Sequence, residues 1–398
     1  MKLLLLSSRP PWPATRADQM TVDRLIRFLA QRGVDVDLAC FVENEAEDRA
    51  LRSELGPVCR RIATVRLPRW RSFLGTLRSL PGREPMQVAY YRSPEMAELV
   101  QGRVAREHYD LVYVHLIRMA EYARGLPVPK LLGLQVSQAL NLQRMVDNVS
   151  DPARRFFYRV EANKVRPYEA AVCRDFERVF LVGARDIEEL AKTAPVPNAV
   201  VQPHGQDVPP PARLAAACRQ PGAIVMSGVM ATYTNVDAAS WFAREIFPLV
   251  EREVPEASFW IVGRHPQRDV QALARPPRVV VTGEVPDVAD WLLRAEVGVA
   301  PLRIGAGMQN KLVQAMAAGL PVVATPIANE GIGATPGVQL WLRDEPRAFA
   351  DAVITLLRDR ATRERLGAAA RSYVERHWTW EAHFEQQLRV FAEVAARA

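Results

Sequence analysis

VGVAPLRIGAGMQNKLVQAMAAGLPVVATPIANE, residues Val297–Glu330, is the stretch whose reading decides the fold. Val297–Ala300 is a short apolar run of the kind that makes a buried strand. Ile304-Gly305-Ala306-Gly307 follows as a loop with two glycines. Lys311, Leu312, Ala315, Met316 and Ala318 then recur at helical spacing, and Gly319 is a stop signal. Val322–Ala324 returns as a second strand. A strand, a glycine loop, a helix and a strand in this order aim unpaired backbone N–H groups and the positive end of a helix dipole at a bound phosphate. Lys311, in the first turn, adds a full positive charge.

The same alternation extends outward on both sides. In the second half, strands are expected at Ala223–Ser227, Ser258–Val262 and Val279–Thr282, with helices over Asn235–Val254 and Asp287–Arg294. Trp241 and Phe242 fall at core positions of the first of these helices. In the first half, Lys2–Ser7, Asp35–Phe41, Ile62–Leu67, Asp110–His115, Lys130–Leu134, Val179–Val182 and Ala199–Gln202 read as strands. A helix is expected over Gln19–Arg32 with Asp18 as its cap and Gly33 as its stop, and another begins at Ser93-Pro94-Glu95. Ser137–Glu177 reads as mostly helical. Strands and helices alternating over short connections imply parallel pairing with helices on both faces of the sheet.

Composition narrows the functional classes. The chain has 398 residues, 49% of them hydrophobic, four cysteines, a formal net charge of +7 and a pI of about 9.4. That length allows two ordinary domains. The basic surface favours anionic partners, but no nucleic-acid-binding signature is present. Cys40, Cys59, Cys173 and Cys218 are scattered without a CxxC pair, which reads as free thiols in a reducing cytosol. The apolar opening Met1–Leu6 is too short for a signal peptide and reads as a first strand. No window reaches the ~18–20 apolar residues that cross a bilayer. Two basic aromatic stretches, Arg66–Arg83 and Arg154–Arg159, suit either an anionic lipid surface or ordinary packed helices with snorkelling arginines.

The Val297–Glu330 segment, with SGVMATYTNVDAASWF (227–242), IFPLVEREVPEASFWIVGRHP (246–266) and VVVTGEVPDVADWL (279–292), resembles the donor-binding half of the GT-B glycosyltransferases. The likeness is to the large retaining family 4 type, the group 1 glycosyltransferases, and within it to sugar transferases of exopolysaccharide systems. It runs over most of the chain and is densest in the second half. It implies two Rossmann-like, doubly wound parallel-sheet domains facing an interdomain cleft. The expected division is 1–207 for the acceptor-binding domain, 208–222 for a linker, 223–378 for the nucleotide-sugar domain, and 379–398 for a last helix crossing back to the first domain. Pro203-His204-Gly205-Gln206-Asp207 matches the family's domain-closing turn, with His204 in place of Asn.

Transfer from a nucleotide-diphosphate sugar places growing negative charge on the leaving diphosphate, which needs fixed donors or cations. Asp35-Val36-Asp37 has the spacing of a metal-holding pair but sits inside an alternating strand, so no metal and no cofactor beyond the nucleotide-sugar is expected. The resemblance implies that Gly228, Gly305, Gly307, the following helix N-terminus and Lys311 hold the donor, with Arg303 a second cation. Asn310 can cap that helix or reach the donor. Arg264 and Glu330 stand at strand-end loops that can reach it or face solvent. His115 ends a strand where relatives place a polar residue toward the sugar; with Lys311 it is the candidate catalytic residue. Arg16 and Asp18, after the first strand, fall on the acceptor side, or serve as loop and helix cap.

The chain also departs from the family. Two glutamates that relatives carry across this loop and helix fall here at Ala306 and Gln314, and an Arg and a Lys after the first strand of that domain fall near Val229 and Asn235. Gln314 can hydrogen-bond a ribose without charge assistance; Ala306 cannot. The expected activity is therefore a retaining, metal-independent sugar transfer in the cytoplasm to a glycan, lipid-linked or small-molecule acceptor, with the inner membrane face and its anionic lipid as the surface it would meet. A non-catalytic homologue that binds nucleotide or a partner protein is the alternative. An epimerase or phosphorylase fits less well, since the chain is short for a pyridoxal-phosphate enzyme. Donor sugar, base and acceptor are not encoded in any residue type.

Overall fold

Leu3–Leu6 is a run of four leucines, each at most 1% exposed, and such a run is stable only as a strand covered on both faces. It forms the centre of β1 (Lys2–Ser7). The computed structural model describes residues 1–397 except 69, 71, 73, 74, 77, 78, 80, 81, 149, 150 and 305–307, and describes only the backbone at 144, 147 and 148. Gly305, Ala306 and Gly307, and much of the Arg66–Arg83 stretch, therefore lie outside the described residues. Contacts divide the chain into two units, Met1–His204 with His383–Ala398, and Gly205–Ala382.

In the first unit, β2 (Asp35–Val42), β3 (Arg61–Arg66), β4 (Leu111–His115), β5 (Lys130–Gln135), β6 (Arg178–Leu181) and β7 (Ala199–Val201) join β1. The described residues form a parallel sheet in the order β3-β2-β1-β4-β5-β6-β7. The order reverses between β1 and β4, whose last residues Ser7 and His115 are partners across the ladder. Helices Ala17–Gln31, Pro94–Arg106, Gln138–Asn148 and Pro152–Arg174 flank the sheet. Ser93 caps the second of these by accepting from Met96 N, as its sequence implied. The Ala17–Gln31 helix corrects the expected start: Arg16, not Asp18, occupies the cap position, and it contributes no side-chain cap.

The second unit repeats the plan. Its strands are β8 (Ala223–Ser227), β9 (Ser258–Val262), β10 (Val279–Gly283), β11 (Val297–Ala300), β12 (Val322–Ala324) and β13 (Trp341–Leu342), in the order β10-β9-β8-β11-β12-β13. The reversal here lies between β8 and β11. The helix expected over Asn235–Val254 is found as continuous helix from Tyr233 to Glu253, α-helical over Tyr233–Trp241 and Phe247–Glu253 and widened into a π turn at Phe242–Ile246. Phe242 is fully buried, and its ring centre lies 4.5 Å from that of Phe259 on β9. The wider turn thus accompanies an aromatic anchor in the core. Gly319, at φ 67°, ends the Asn310–Ala317 helix two residues on, as read from the sequence.

Candidate functional site

Open α/β sheets bind ligands at the carboxyl ends of their strands, where strand order reverses. In the second unit that point is bounded by Gly228, after β8, and by the chain leaving β11. Gly228 N–H donates to Val262 O at 3.0 Å. A Cβ built on Gly263 would lie 1.7 Å from Gly228 O, so the ends of β8 and β9 approach more closely than any side chain at 263 allows. This packing leaves backbone, not side chains, at the strand ends. The Ser227 hydroxyl, buried at the end of β8, has no hydrogen-bond partner among the described residues.

Asn235 organises the next layer. Its Nδ2 donates to Val229 O at 2.9 Å, tying it to the turn after β8. Its Oδ1 accepts from Nζ of Lys311, in the first turn of Asn310–Ala317. The partner is neutral, and burial pushes the Lys311 ammonium down to about 8. A cation desolvated against a neutral amide gains when an anion arrives. Lys311 and Gly228 are therefore brought to one place, with Asn235 as the link that sequence reasoning noted only as a missing lysine.

The other candidates separate. Arg303 is held by Asp237, with Nε to Oδ2 at 3.1 Å, and its guanidinium carbon stands 5.4 Å from the Trp241 ring centre. It is a paired cation and not a free one. Arg264 is exposed, and its guanidinium has no partner among the described residues. Gln309 holds the cap position of the Asn310–Ala317 helix and makes no side-chain cap bond; Asn310 is the first helical residue, so the capping role expected for it falls away. Asn310, Gln314 and Glu330 are all exposed.

In the first unit, His115 ends β4 at 1% exposure, and neither ring nitrogen has a hydrogen-bond partner among the described residues. Burial lowers its pKa to about 3, so the ring is neutral at ordinary pH, able to donate one hydrogen bond and accept another. Asp18, relieved of the capping role, takes Arg9 at 3.1 Å and Arg118 at 3.2 Å on the same oxygen. Arg118 follows β4 closely and was not singled out from the sequence; nothing but its nearness to His115 in the chain could have drawn notice. Arg9, Arg16 and Arg118 line a cavity of about 750 Å³, together with Tyr90, Tyr91 and Glu161. Glu161 did leave a signal: with Val165 and Glu169 it repeats every four residues on a buried helix face.

The Asp35-Val36-Asp37 pair is explained by structure. Asp37 is buried, takes the Arg60 guanidinium (Nε to Oδ1 at 2.8 Å) and accepts from the Tyr109 hydroxyl at 2.6 Å, while Asp35 is exposed.

Comparison with known proteins accords with this architecture. Residues 221–359 match the family described as Glycosyl transferases group 1. A Klebsiella pneumoniae protein described as an uncharacterized 44.6 kDa protein in the cps region is 19% identical over 394 residues, covering 95% of this chain and 96% of its own. Sucrose-phosphate synthase from Thermosynechococcus elongatus superposes with a TM-score of 0.61 at 18% identity, covering 100% of both chains. Anabaena HepE, solved in complex with UDP, gives 0.64 at 13% identity over 99% of this chain and 100% of its own. These structures share the GT-B fold with this chain. The group 1 glycosyltransferase match thus falls on the second unit, and the architecture over the full length is that of GT-B structures.

Proposed function

We propose that this chain transfers a sugar from a nucleotide-diphosphate donor to a glycan, lipid-linked or small-molecule acceptor, with retention at the anomeric carbon and without a metal ion. The observation that carries the reading is the Lys311–Asn235 contact beside Gly228: a half-buried ammonium with no carboxylate partner among the described residues, at the switch point of a parallel sheet. A diphosphate set against the strand-end amides would meet this charge and the N-terminus of the Asn310–Ala317 helix together. As the glycosidic bond breaks, charge grows on the leaving phosphate, and a fixed ammonium stabilises it without reorganising. Gly305 and Gly307 are donor-binding residues in this reading, and Arg264 supplies a further cation.

His115, neutral and buried, serves as a hydrogen-bonding group toward the sugar and not as a charged acid. A lipid-linked acceptor is supported by Phe156, 69% exposed on the same helical turn as exposed Arg154, a pairing suited to an anionic headgroup layer. Among the described residues no helix is long and apolar enough to cross a membrane.

Donor hydrolysis and transfer by purified protein over a panel of nucleotide-sugars test the reading. Turnover that survives Lys311→Ala unchanged refutes it. The second reading, a nucleotide-binding homologue without catalysis, is favoured by the resemblance, which implies carboxylates at the two positions that Ala306 and exposed Gln314 occupy. Calorimetry with UDP, GDP and dTDP separates the two, since binding without turnover on any donor supports the second.

A further inference from the structure

The cavity in the first unit has an uneven charge distribution that the donor chemistry does not use. Arg9 and Arg118 both reach Oδ2 of Asp18, so one carboxylate oxygen is divided between two guanidinium groups. Arg118 lies over Tyr91, with its guanidinium carbon 5.1 Å from the ring centre, and its Nε is buried with no partner among the described residues. Arg16 is exposed at the start of Ala17–Gln31 and has no side-chain partner among the described residues. The guanidinium groups of Arg9, Arg16 and Arg118 thus gather at one end of a cavity whose other lining includes the carboxylates of Glu43, Glu47 and Glu161. Arginine forks match the paired oxygens of phosphate or carboxylate.

Elsewhere the lining is built for hydroxyls. Glu161, 5% exposed, accepts Met86 N–H at 2.7 Å through Oε1, while Oε2 has no partner among the described residues. Gln138 and Asn141 present amides to the same space. The Tyr90 ring, half-buried and held edge-to-face at 5.0 Å against Tyr91, lines the cavity with an apolar surface. Glu43 and Glu47 also line the cavity, and Glu47 already accepts the Glu43 N–H at 2.8 Å.

We infer that this cavity is an acceptor pocket selective for an anionic sugar: its phosphate or carboxylate is held by Arg16 and Arg118, and its hydroxyls by Glu161 and the neighbouring amides. The inference rests on the proposed transferase reading for the word acceptor, but the binding it describes can be measured without turnover. The volume of about 750 Å³ accommodates a sugar larger than one pyranose.

The test is calorimetric titration of the whole protein with glucose 6-phosphate, glucuronate and glucose. Both charged sugars are expected to bind, at least one of them about tenfold more tightly than glucose, and the stronger identifies the anion as phosphate or carboxylate. Arg16→Glu, at an exposed position with no side-chain partner among the described residues, is expected to weaken the charged sugars by about tenfold or more. Glu161→Gln is expected to weaken glucose 6-phosphate while leaving competition by inorganic phosphate unchanged. Equal binding of all three sugars, no binding of either charged sugar, or charged-sugar binding indifferent to Arg16→Glu overturns the inference. UDP affinity, measured separately, reports on the donor site alone, so either reading can fail while the other stands.

Discussion

Lys311 Nζ donates a hydrogen bond to Oδ1 of Asn235, a neutral partner, and no carboxylate among the described residues compensates the ammonium charge. Buried cations are usually paired with a carboxylate, because burial without a partner disfavours the charged form. Here that cost remains in the free protein and lowers the lysine toward 8. A lysine kept this way is suited to receive an anion.

Replacing it should separate stability from activity. Lys311→Met removes the stranded charge while keeping most of the stem's packing, so the variant should be at least as stable as the parent, gaining about 1 kcal/mol. Its turnover should fall by about 10²–10³, the usual loss on removing one preorganised transition-state donor. Urea unfolding and donor hydrolysis on the same preparation check both. A variant that is less stable and fully active would assign Lys311 a structural role.

A proton should move when nucleotide binds. With a folded pKa of about 8, Lys311 is mostly neutral at pH 9, and a diphosphate beside it raises that value. Calorimetry of UDP binding at pH 9 in buffers of different ionisation enthalpy should show uptake of most of one proton, absent in Lys311→Met. The same shift has a stability sign. Between about 8 and the unfolded value of 10.5, the unfolded chain holds a proton that the native one has lost, so this lysine makes stability rise with pH across that window.

Acid should act on the first unit. Burial holds His115 near 3 and His383 near 4, both below the ordinary histidine value of 6.5. A neutral buried histidine contributes stability that is complete above about 6.5 and is lost as pH falls from there toward the folded value. At pH 5 each should cost about 2 kcal/mol relative to neutral pH. Thermal melts at pH 7 and pH 5 should show the loss, and His383→Gln should reduce the difference between them.

The two arginines of the second unit should behave differently. Arg303 is committed to Asp237 and stacks on Trp241, so Arg303→Ala should leave the donor KM within about twofold and cost about 1 kcal/mol of stability at most. Arg264, unpaired among the described residues, should raise the donor KM several-fold when changed to Ala. Steady-state kinetics on the two variants decide it; the reverse pattern would move the phosphate site toward Arg303.

Gly263→Ala addresses the cradle itself. Its Cβ would fall 1.7 Å from Gly228 O, a backbone atom that cannot turn aside. The ends of β8 and β9 must part, and a loss of about 2–4 kcal/mol is expected from urea unfolding. Gly102, on the Pro94–Arg106 helix with open space where a Cβ would stand, is the control: Gly102→Ala should stabilise by about 0.5–1 kcal/mol.

The parallel sheets were legible because runs such as Leu3–Leu6 and Val297–Ala300 have no other stable home than a covered strand. Capping was less legible. Asp18 looks like a helix cap by residue type, yet Arg9 from the preceding loop and Arg118, 100 residues away, claim its carboxylate and the helix starts earlier. Arg303 presented itself as a free cation for a like reason: its partner Asp237 lies 66 residues away, on the Tyr233–Trp241 helix. The π turn at Phe242–Ile246 left no local signal, because the ring packing against Phe259 that accompanies it is tertiary. Asn235 shows the complementary case. The sequence marks it as a departure from the family's lysine, and only the fold reveals that Lys311 has come to the same place.

The central claim is that a nucleotide diphosphate docks against the amides after β8 and the Lys311 ammonium without help from a divalent ion. Calorimetric titration of UDP, GDP and dTDP into the parent and into Lys311→Met, both in EDTA, tests it most directly. The account predicts that at least one nucleotide binds the parent in EDTA and binds the variant at least about tenfold more weakly. Binding that requires a divalent ion, or that is equal in the two proteins, would contradict it.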